Sequence, residues 1–244
     1  MNDVIGKSGL GSIGRSIPRV DARERVTGRA IYPADIQKPG MAHARLKRSP
    51  HAHARIVRID TVRAERLRGV LAIVTVQDFA DVVVGTTIPF GETGNDAWAI
   101  AQLNMARDKV FWVGQPVAAV AAVDLHVAAE GLDLIEVTYE VLEPVVSIEA
   151  ALRPDAPVLH AHLLTKGLEP PARSPSNVGA RTAILRGDTT SALAGAAATG
   201  RANVTVDTAH QGYVEPQAMV AEVDPNGFAT VWTSTQGHHS AEVM

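Results

Sequence analysis

Cysteine is absent from all 244 residues. That excludes a disulfide framework, and it excludes zinc or iron–sulfur centres held by thiolates of this chain; any such cluster must sit on a partner. Also missing is any run of eighteen or more apolar residues, so no segment reads as a membrane helix and VFWVGQPVAAVAAV (110–123) reads as buried strand. The opening MNDVIGKSGLGSIGRSIPRV has no continuous apolar core of a secretory signal, which gives the expectation of a cytoplasmic protein. No GxSxG nucleophile elbow occurs. Gly9, Gly11 and Gly14 spell GxGxxG, but no apolar strand leads into them and Pro18 interrupts the helix that should follow. Gly6-Lys7-Ser8 ends like a phosphate loop without its leading glycine or strand. Conventional hydrolase, kinase and dinucleotide-binding readings therefore lack support.

What is present is ordinary globular material, 46% apolar and 20% charged. The net charge of -3 hides an asymmetry, because residues 1–68 hold 15 of the 23 Lys and Arg but only 6 of the 26 acids. The arginines are interleaved with strand residues rather than clustered beside stacking aromatics. That favours a polar face used in assembly over nucleic-acid binding.

The chain divides into four stretches. Residues 1–19 are Gly- and Ser-rich and read as a flexible arm. Over 20–152, short strands alternate with short helices: MAHARLKR (41–48), ARIVRID (54–60) and a buried GVLAIVT (69–75) are strands, with Asp60 capping TVRAERLR before Gly69. VFWVGQPVAAVAAV breaks at Gly114-Gln115-Pro116 into two strand pieces. Asp124 caps the helix LHVAAEGLDLIE, and VTYEVL is a strand. Residues 153–187, with five prolines and three glycines, form an extended connector running over a surface. In 188–244, TTSALAGAAA starts a short helix at a Thr cap, ANVTVDTAH (202–210) is a strand, and MVAEVD and FATVWTST form a tight hairpin around Pro225-Asn226-Gly227. The strand, helix, strand order implies an α/β or α+β layer.

Candidate site residues are few. His51 and His53 share a face if extended and begin a metal site only if a third ligand joins them; surface or interface histidines are the plainer reading, and His160 and His162 rate the same. His238 and His239 are adjacent and point opposite ways on an extended chain. Glu215, before Pro216, reads as a turn or interface residue, and Gln236 carries an amide that can donate and accept at once.

The segments RVDARERVTGRAIYPADI, GMAHARLKRSPHAHARIVRID and LRGVLAIVTVQD together resemble the opening of the molybdopterin-binding large subunit of the xanthine dehydrogenase, aldehyde oxidase and carbon monoxide dehydrogenase family. VFWVGQPVAAVAAVDLHVAAEGLDLIEVTYEVLEPVVSIEAAL resembles the second half of that family's α/β hammerhead domain. GDTTSALAGAA and HQGYVEPQAMVAEVDPNGFATVWTSTQ resemble the first strands of its molybdenum-binding domain. The likeness implies a hammerhead domain over 20–152 followed from 188 by the start of an incomplete cofactor domain.

Chemically, the resemblance implies a molybdenum hydroxylase that oxidises an aldehyde or N-heterocycle with water-derived oxygen. It would use molybdopterin in its cytosine dinucleotide form, with iron–sulfur clusters and FAD on partner subunits, the cofactor supplying the redox chemistry. Gln236 matches the glutamine whose amide is directed at the apical oxygen ligand of molybdenum, and Glu215-Pro216 matches a recurring pair that supports the site. The Gly-rich loop, the substrate-facing Arg, the pterin-binding segments and the late catalytic Glu fall outside these 244 residues. A partner chain is expected to complete the cage. The alternative is a noncatalytic truncated module used only in assembly or binding.

Overall fold

The computed structural model describes residues 16–83, 86–90, 93–235 and 237. Along the chain, helix α1 (Ala22–Val26) is followed by strands β1 (His43–Arg48) and β2 (Ala54–Asp60), helix α2 (Val62–Glu65) and strand β3 (Val70–Thr75). Strands β4 (Thr87–Phe90) and β5 (Thr93–Asp96) pair as a hairpin and lead into helix α3 (Ala97–Asn104). Strands β6 (Lys109–Val110) and β7 (Pro116–Ala122), helix α4 (Leu125–Leu134), strand β8 (Glu136–Val141) and helix α5 (Ile148–Ala151) come next. After a long irregular stretch come helix α6 (Thr189–Ala194) and strands β9 (Met219–Val223) and β10 (Ala229–Thr233).

These elements fall into two compact units, one from Pro39 to Asp207 and one combining the segment up to Lys38 with the segment from Thr208 onward. The larger unit carries two antiparallel three-stranded sheets, ordered β1-β7-β3 and β6-β2-β8. Strand β7 is central in its sheet and nearly all buried. Its alternating side chains serve two clusters: Val117 packs with Ala54, Ala106 and Val110, whereas Ala118 and Val120 pack with Ala64 and Ile135. The apolar run of 116–122 thus sits where both faces are covered.

Helix α4 lies over this sheet because its start and its inner face are both fixed. Asp124 Oδ1 accepts from the backbone N–H groups of His126 and Val127, each at 2.8 Å, and so satisfies two orphan donors of the first turn. Ala128 and Gly131 are its buried positions. A Cβ on Gly131 would stand 3.0 Å from Val120 Cγ1 and 3.3 Å from Val70 Cγ2. The glycine sets how closely helix and sheet approach.

The break between β6 and β7 is a polar knot. Gly114 turns the chain at φ +90°. Gln115, fully buried, accepts from Phe111 N–H at 2.7 Å and donates to the Gln102 carbonyl at 2.7 Å. Ser49 clasps the same turn, donating its N–H to the Gln115 carbonyl at 2.9 Å and accepting from Gly114 N–H at 2.7 Å.

Three expectations need correction. The stretch 69–75 is a strand from Val70, but it lies at the edge of the sheet order and none of its residues is buried; only the central strand has cover on both faces. The helix after Asp60 is a single turn, with Asp60 Oδ1 accepting from Val62 N–H at 3.1 Å. Residues 202–210 form no strand, and every residue from 179 to 217 is exposed. VTVDT has strand-forming residue types, yet without a partner a lone strand has no ladder to join.

Candidate functional site

The smaller unit is organised by the β9–β10 hairpin, whose antiparallel register places Trp232 opposite Val220. Its loop closes as the sequence suggests. Asp224 N–H donates to the Phe228 carbonyl at 2.9 Å, and Asp224 Oδ1 accepts from the N–H groups of Asn226 and Phe228 at 2.8 and 2.9 Å. An Asp at the first turn position thereby holds a three-residue Pro-Asn-Gly loop. The result delivers β10 rigidly into Ser234-Thr235.

At that end lies an open hollow of about 760 Å³ lined by His210, Gln211, Tyr213, Glu215, Gln217, Ser234 and Thr235. Ser234 ties the two sides of the hollow together. Its hydroxyl is 3.1 Å from Glu215 Oε1 and 3.3 Å from the Pro216 carbonyl, and its N–H donates to the Ala218 carbonyl at 3.3 Å. The Gln217 amide donates to the Tyr213 hydroxyl. Gly212 N–H donates to His210 Nδ1 at 3.1 Å, which leaves Nε2 as the protonated nitrogen of the neutral ring, and the His210 and Tyr213 rings stack obliquely at 4.8 Å.

Of the residues singled out by sequence, Glu215 is placed here, bracing the end of the hairpin. Gln236 follows Thr235 in the chain but lies outside the described residues, as do His238, His239, the glycines 9, 11 and 14, and Gly6-Lys7-Ser8. His51 and His53 are not two exposed ligands on one strand face. Both precede β2; the His51 ring packs edge-on against Tyr139 at 4.9 Å, and buried His53 donates from Nδ1 to the Glu143 carbonyl at 2.7 Å. Burial pushes the Tyr139 hydroxyl above its ordinary value. Among the described residues no set of three or more His, Asp and Glu could hold a metal ion.

His210, Tyr213, Gln217 and Ser234 carried no individual signal in the sequence. The one available clue was density: HQGYVEPQ sets five side chains with hydrogen-bonding groups in eight positions.

A second hollow of about 590 Å³ in the same unit is lined by Ile31, Tyr32, Pro33, Ile36, Lys38, Val231, Trp232 and Thr233. Lys38 Nζ lies 4.7 Å from the Trp232 ring centre and 3.0 Å from Glu222 Oε2. This cation–π contact covers part of the indole face. Trp232 is accordingly half-buried, whereas Val231 stays exposed.

Comparison with known proteins decides the family. Residues 27–143 match the aldehyde oxidase and xanthine dehydrogenase a/b hammerhead domain, and residues 171–244 match the molybdopterin cofactor-binding domain. The chain belongs to the aldehyde oxidase and xanthine dehydrogenase family. It is 31% identical over 236 residues to the 6-hydroxypseudooxynicotine dehydrogenase complex subunit gamma of Paenarthrobacter nicotinovorans, covering 95% of this chain and 28% of that protein. It is 31% identical over 234 residues to the carbon monoxide dehydrogenase large chain of Afipia carboxidovorans, covering 94% of this chain and 28% of the relative. Among solved structures, quinoline 2-oxidoreductase from Pseudomonas putida 86 superposes with a TM-score of 0.72 at 29% identity, over 91% of this chain and 27% of that one. The chain therefore spans under a third of the length of these relatives.

The hollow's lining fits a molybdopterin cofactor. Hydroxyl, amide and imidazole groups at the end of a stiff hairpin can hydrogen-bond to a cofactor that brings its own metal ligands, and a convergent set of protein ligands is not required.

Proposed function

We propose that this chain provides the hammerhead domain and the opening of the cofactor site of a molybdenum hydroxylase large subunit. The observation that carries this reading is the polar hollow at Ser234-Thr235, placed by a hairpin within the segment that matches the molybdopterin cofactor-binding domain. When bound, the cofactor supplies the oxidation of an aldehyde or N-heterocycle with oxygen derived from water. This chain's residues position it: Glu215 and Ser234 fix the hairpin end, and we assign Gln236, which follows Thr235 in sequence, to the cofactor.

We assign a share of the cofactor contacts to a partner chain. Iron–sulfur clusters and FAD are assigned to further subunits, the cofactor to the cytosine dinucleotide form, and the assembly to the cytoplasm. Support for partner chains comes from a relative that is a subunit of a dehydrogenase complex. The exposure of every residue from 179 to 217 supports the same assignment, since Ile184, Leu185, Val204 and Val206 have no cover of their own.

The test is metal analysis of the chain purified alone and after co-expression with the chain encoded beside it. Molybdenum retained only on co-expression is the expected result. A chain that carries no molybdenum in either preparation is a noncatalytic module, and the reading falls. In the reconstituted complex, Gln236→Ala should lower turnover far more than molybdenum content, because one hydrogen bond is worth about 0.5–3 kcal/mol. Unchanged turnover removes Gln236 from the site.

A further inference from the structure

The two His-Ala-His stretches are about a hundred residues apart in sequence, yet the fold brings them together. His160 and His162, in the segment after α5, meet the aromatic side chains of the hammerhead domain within one compact unit. The His162 ring packs edge-on to Trp98 of α3 at 4.0 Å, and His160 lies 4.6 Å from Phe111. Phe111 in turn stacks on His53 at 5.9 Å, and the two connector imidazoles are 6.2 Å apart. One ring nitrogen of each histidine, His53 Nε2, His160 Nδ1 and His162 Nε2, is buried with no hydrogen-bond partner among the described residues.

We propose that this cluster is an acid-released latch: the neutral His160 imidazole holds the connector against the hammerhead domain, and its protonation frees it. A neutral ring tolerates a buried nitrogen as an unfilled acceptor at modest cost. A protonated ring must donate from both nitrogens, and burial penalises its charge. In His53 the Nδ1–H is committed to the Glu143 carbonyl, which leaves Nε2 as its unfilled acceptor.

The groups around His160 reinforce this. Burial holds its imidazole below the ordinary value, and His162 and His53 push in the same direction. The titratable neighbours are thus His53, from the turn before β2, and His162, from the connector. α3 and the β6–β7 turn contribute Trp98 and Phe111, which do not titrate. Glu143 offers His53 its backbone carbonyl, while its carboxylate pairs with Arg153 at 3.3 Å. The sign follows from linkage. The undocked ring binds its proton more readily than the docked ring, so docking is at full strength above the ordinary imidazole value of about 6.5 and weakens as pH falls below it.

The rest of the connector gives the latch a mechanical consequence. The Asn177 amide oxygen accepts from Leu159 N–H at 3.0 Å and its nitrogen donates to the Pro157 carbonyl at 3.0 Å, while Lys166 N–H donates to the Gly179 carbonyl at 3.0 Å. These bonds lie within the connector, as do those from Thr165 to the Val178 carbonyl at 2.7 Å and from Arg181 N–H to the Lys166 carbonyl at 2.9 Å, while Asn177 also donates to the Ala151 carbonyl at 3.3 Å, so losing the ring contacts loosens the segment as a unit. The proposal is independent of the cofactor reading.

Amide hydrogen exchange on the full chain tests it, with rates corrected for the intrinsic pH dependence of exchange. Between about pH 7.5 and about pH 5, a window that spans the ordinary imidazole value, protection of the peptide over 157–166 should fall several-fold while that of β7 holds. His160→Phe with His162→Phe, which keep the ring packing without the protons, should flatten the dependence. Wild-type protection that ignores pH, or a dependence that survives both substitutions, overturns the latch. If the double variant does not fold, ring titration by NMR in the wild-type chain decides: His160 becoming charged with no change in connector protection overturns it equally.

Discussion

Gln115 is the residue on which the hammerhead domain's interior polarity turns. Its side chain satisfies Phe111 N–H and the Gln102 carbonyl at 2.7 Å each, and it is among the largest fully buried side chains of a core built mainly of Ala, Val and Ile. Gln102, likewise buried, accepts from Arg107 N–H at 2.9 Å and extends the network. Gln115→Leu preserves bulk but leaves a buried donor and a buried acceptor unpaired, each costing about 1–3 kcal/mol. We expect a loss of about 2–4 kcal/mol, read as a lowered urea midpoint with an unchanged slope. A midpoint equal to that of wild type would show that water replaces the glutamine freely. The Gly-Gln-Pro triplet was legible in sequence as a break between strands, but the role of its glutamine was not. Nothing local tells a solvent-facing turn amide from one that crosses 13 positions to a helix-end carbonyl. The same limit applies to His53 and His160, whose importance rests on a meeting that sequence spacing does not encode.

At the scale of elements, the sequence was most informative where a local device and a burial pattern agreed. Asp124 before LHVAAEGLDL, the unbroken apolar run of 116–122 and Pro225-Asn226-Gly227 between alternating apolar residues each fixed an element that the structure contains. Where only residue type spoke, the reading failed. ANVTVDTAH has β-branched residues but forms no strand, with Val204 and Val206 each 83% exposed. The cap of α6 is not a Thr but Asp188, one residue earlier, whose Oδ1 accepts from Ser191 N–H at 3.0 Å. The helix–sheet contact at Gly131 was also hidden, since a glycine inside a helical pattern reads as a small defect until its neighbours are known. Gly131→Val would drive branched carbons into Val120 and Val70, which already stand 3.0 and 3.3 Å from the position of a Cβ. Overpacking of this kind costs about 1–3 kcal/mol. The expected outcome is a lower melting temperature. Thermal stability equal to or above wild type would mean that α4 shifts away without penalty and that the close approach is incidental.

For the molecule as a whole, the α+β class and the family followed from ordered motifs, while the state of the surface did not. The hammerhead unit has its own clusters around β7, with Ile135 2% exposed and Val110, Val117 and Val120 at 0%. Every residue from 179 to 217 is exposed, with Ile184 and Val214 at 92% and 97%. An apolar surface of that extent is stable in water only when something lies on it. Among the described residues the β9–β10 ribbon pairs with no further strand, and a two-stranded sheet alone is marginal. We therefore expect the purified chain to bind a hydrophobic dye strongly and to sediment as concentration-dependent oligomers, and expect both signals to fall when the neighbouring chain is co-expressed. The hammerhead unit should contribute little, so dye binding should track the segment 179–235, and replacing Ile184, Val204, Val206 and Val214 together by Ser should reduce it. A monomer at every concentration with no dye signal would mean that this surface is already covered within the chain, and the assignment of a covering partner would then have no physical basis.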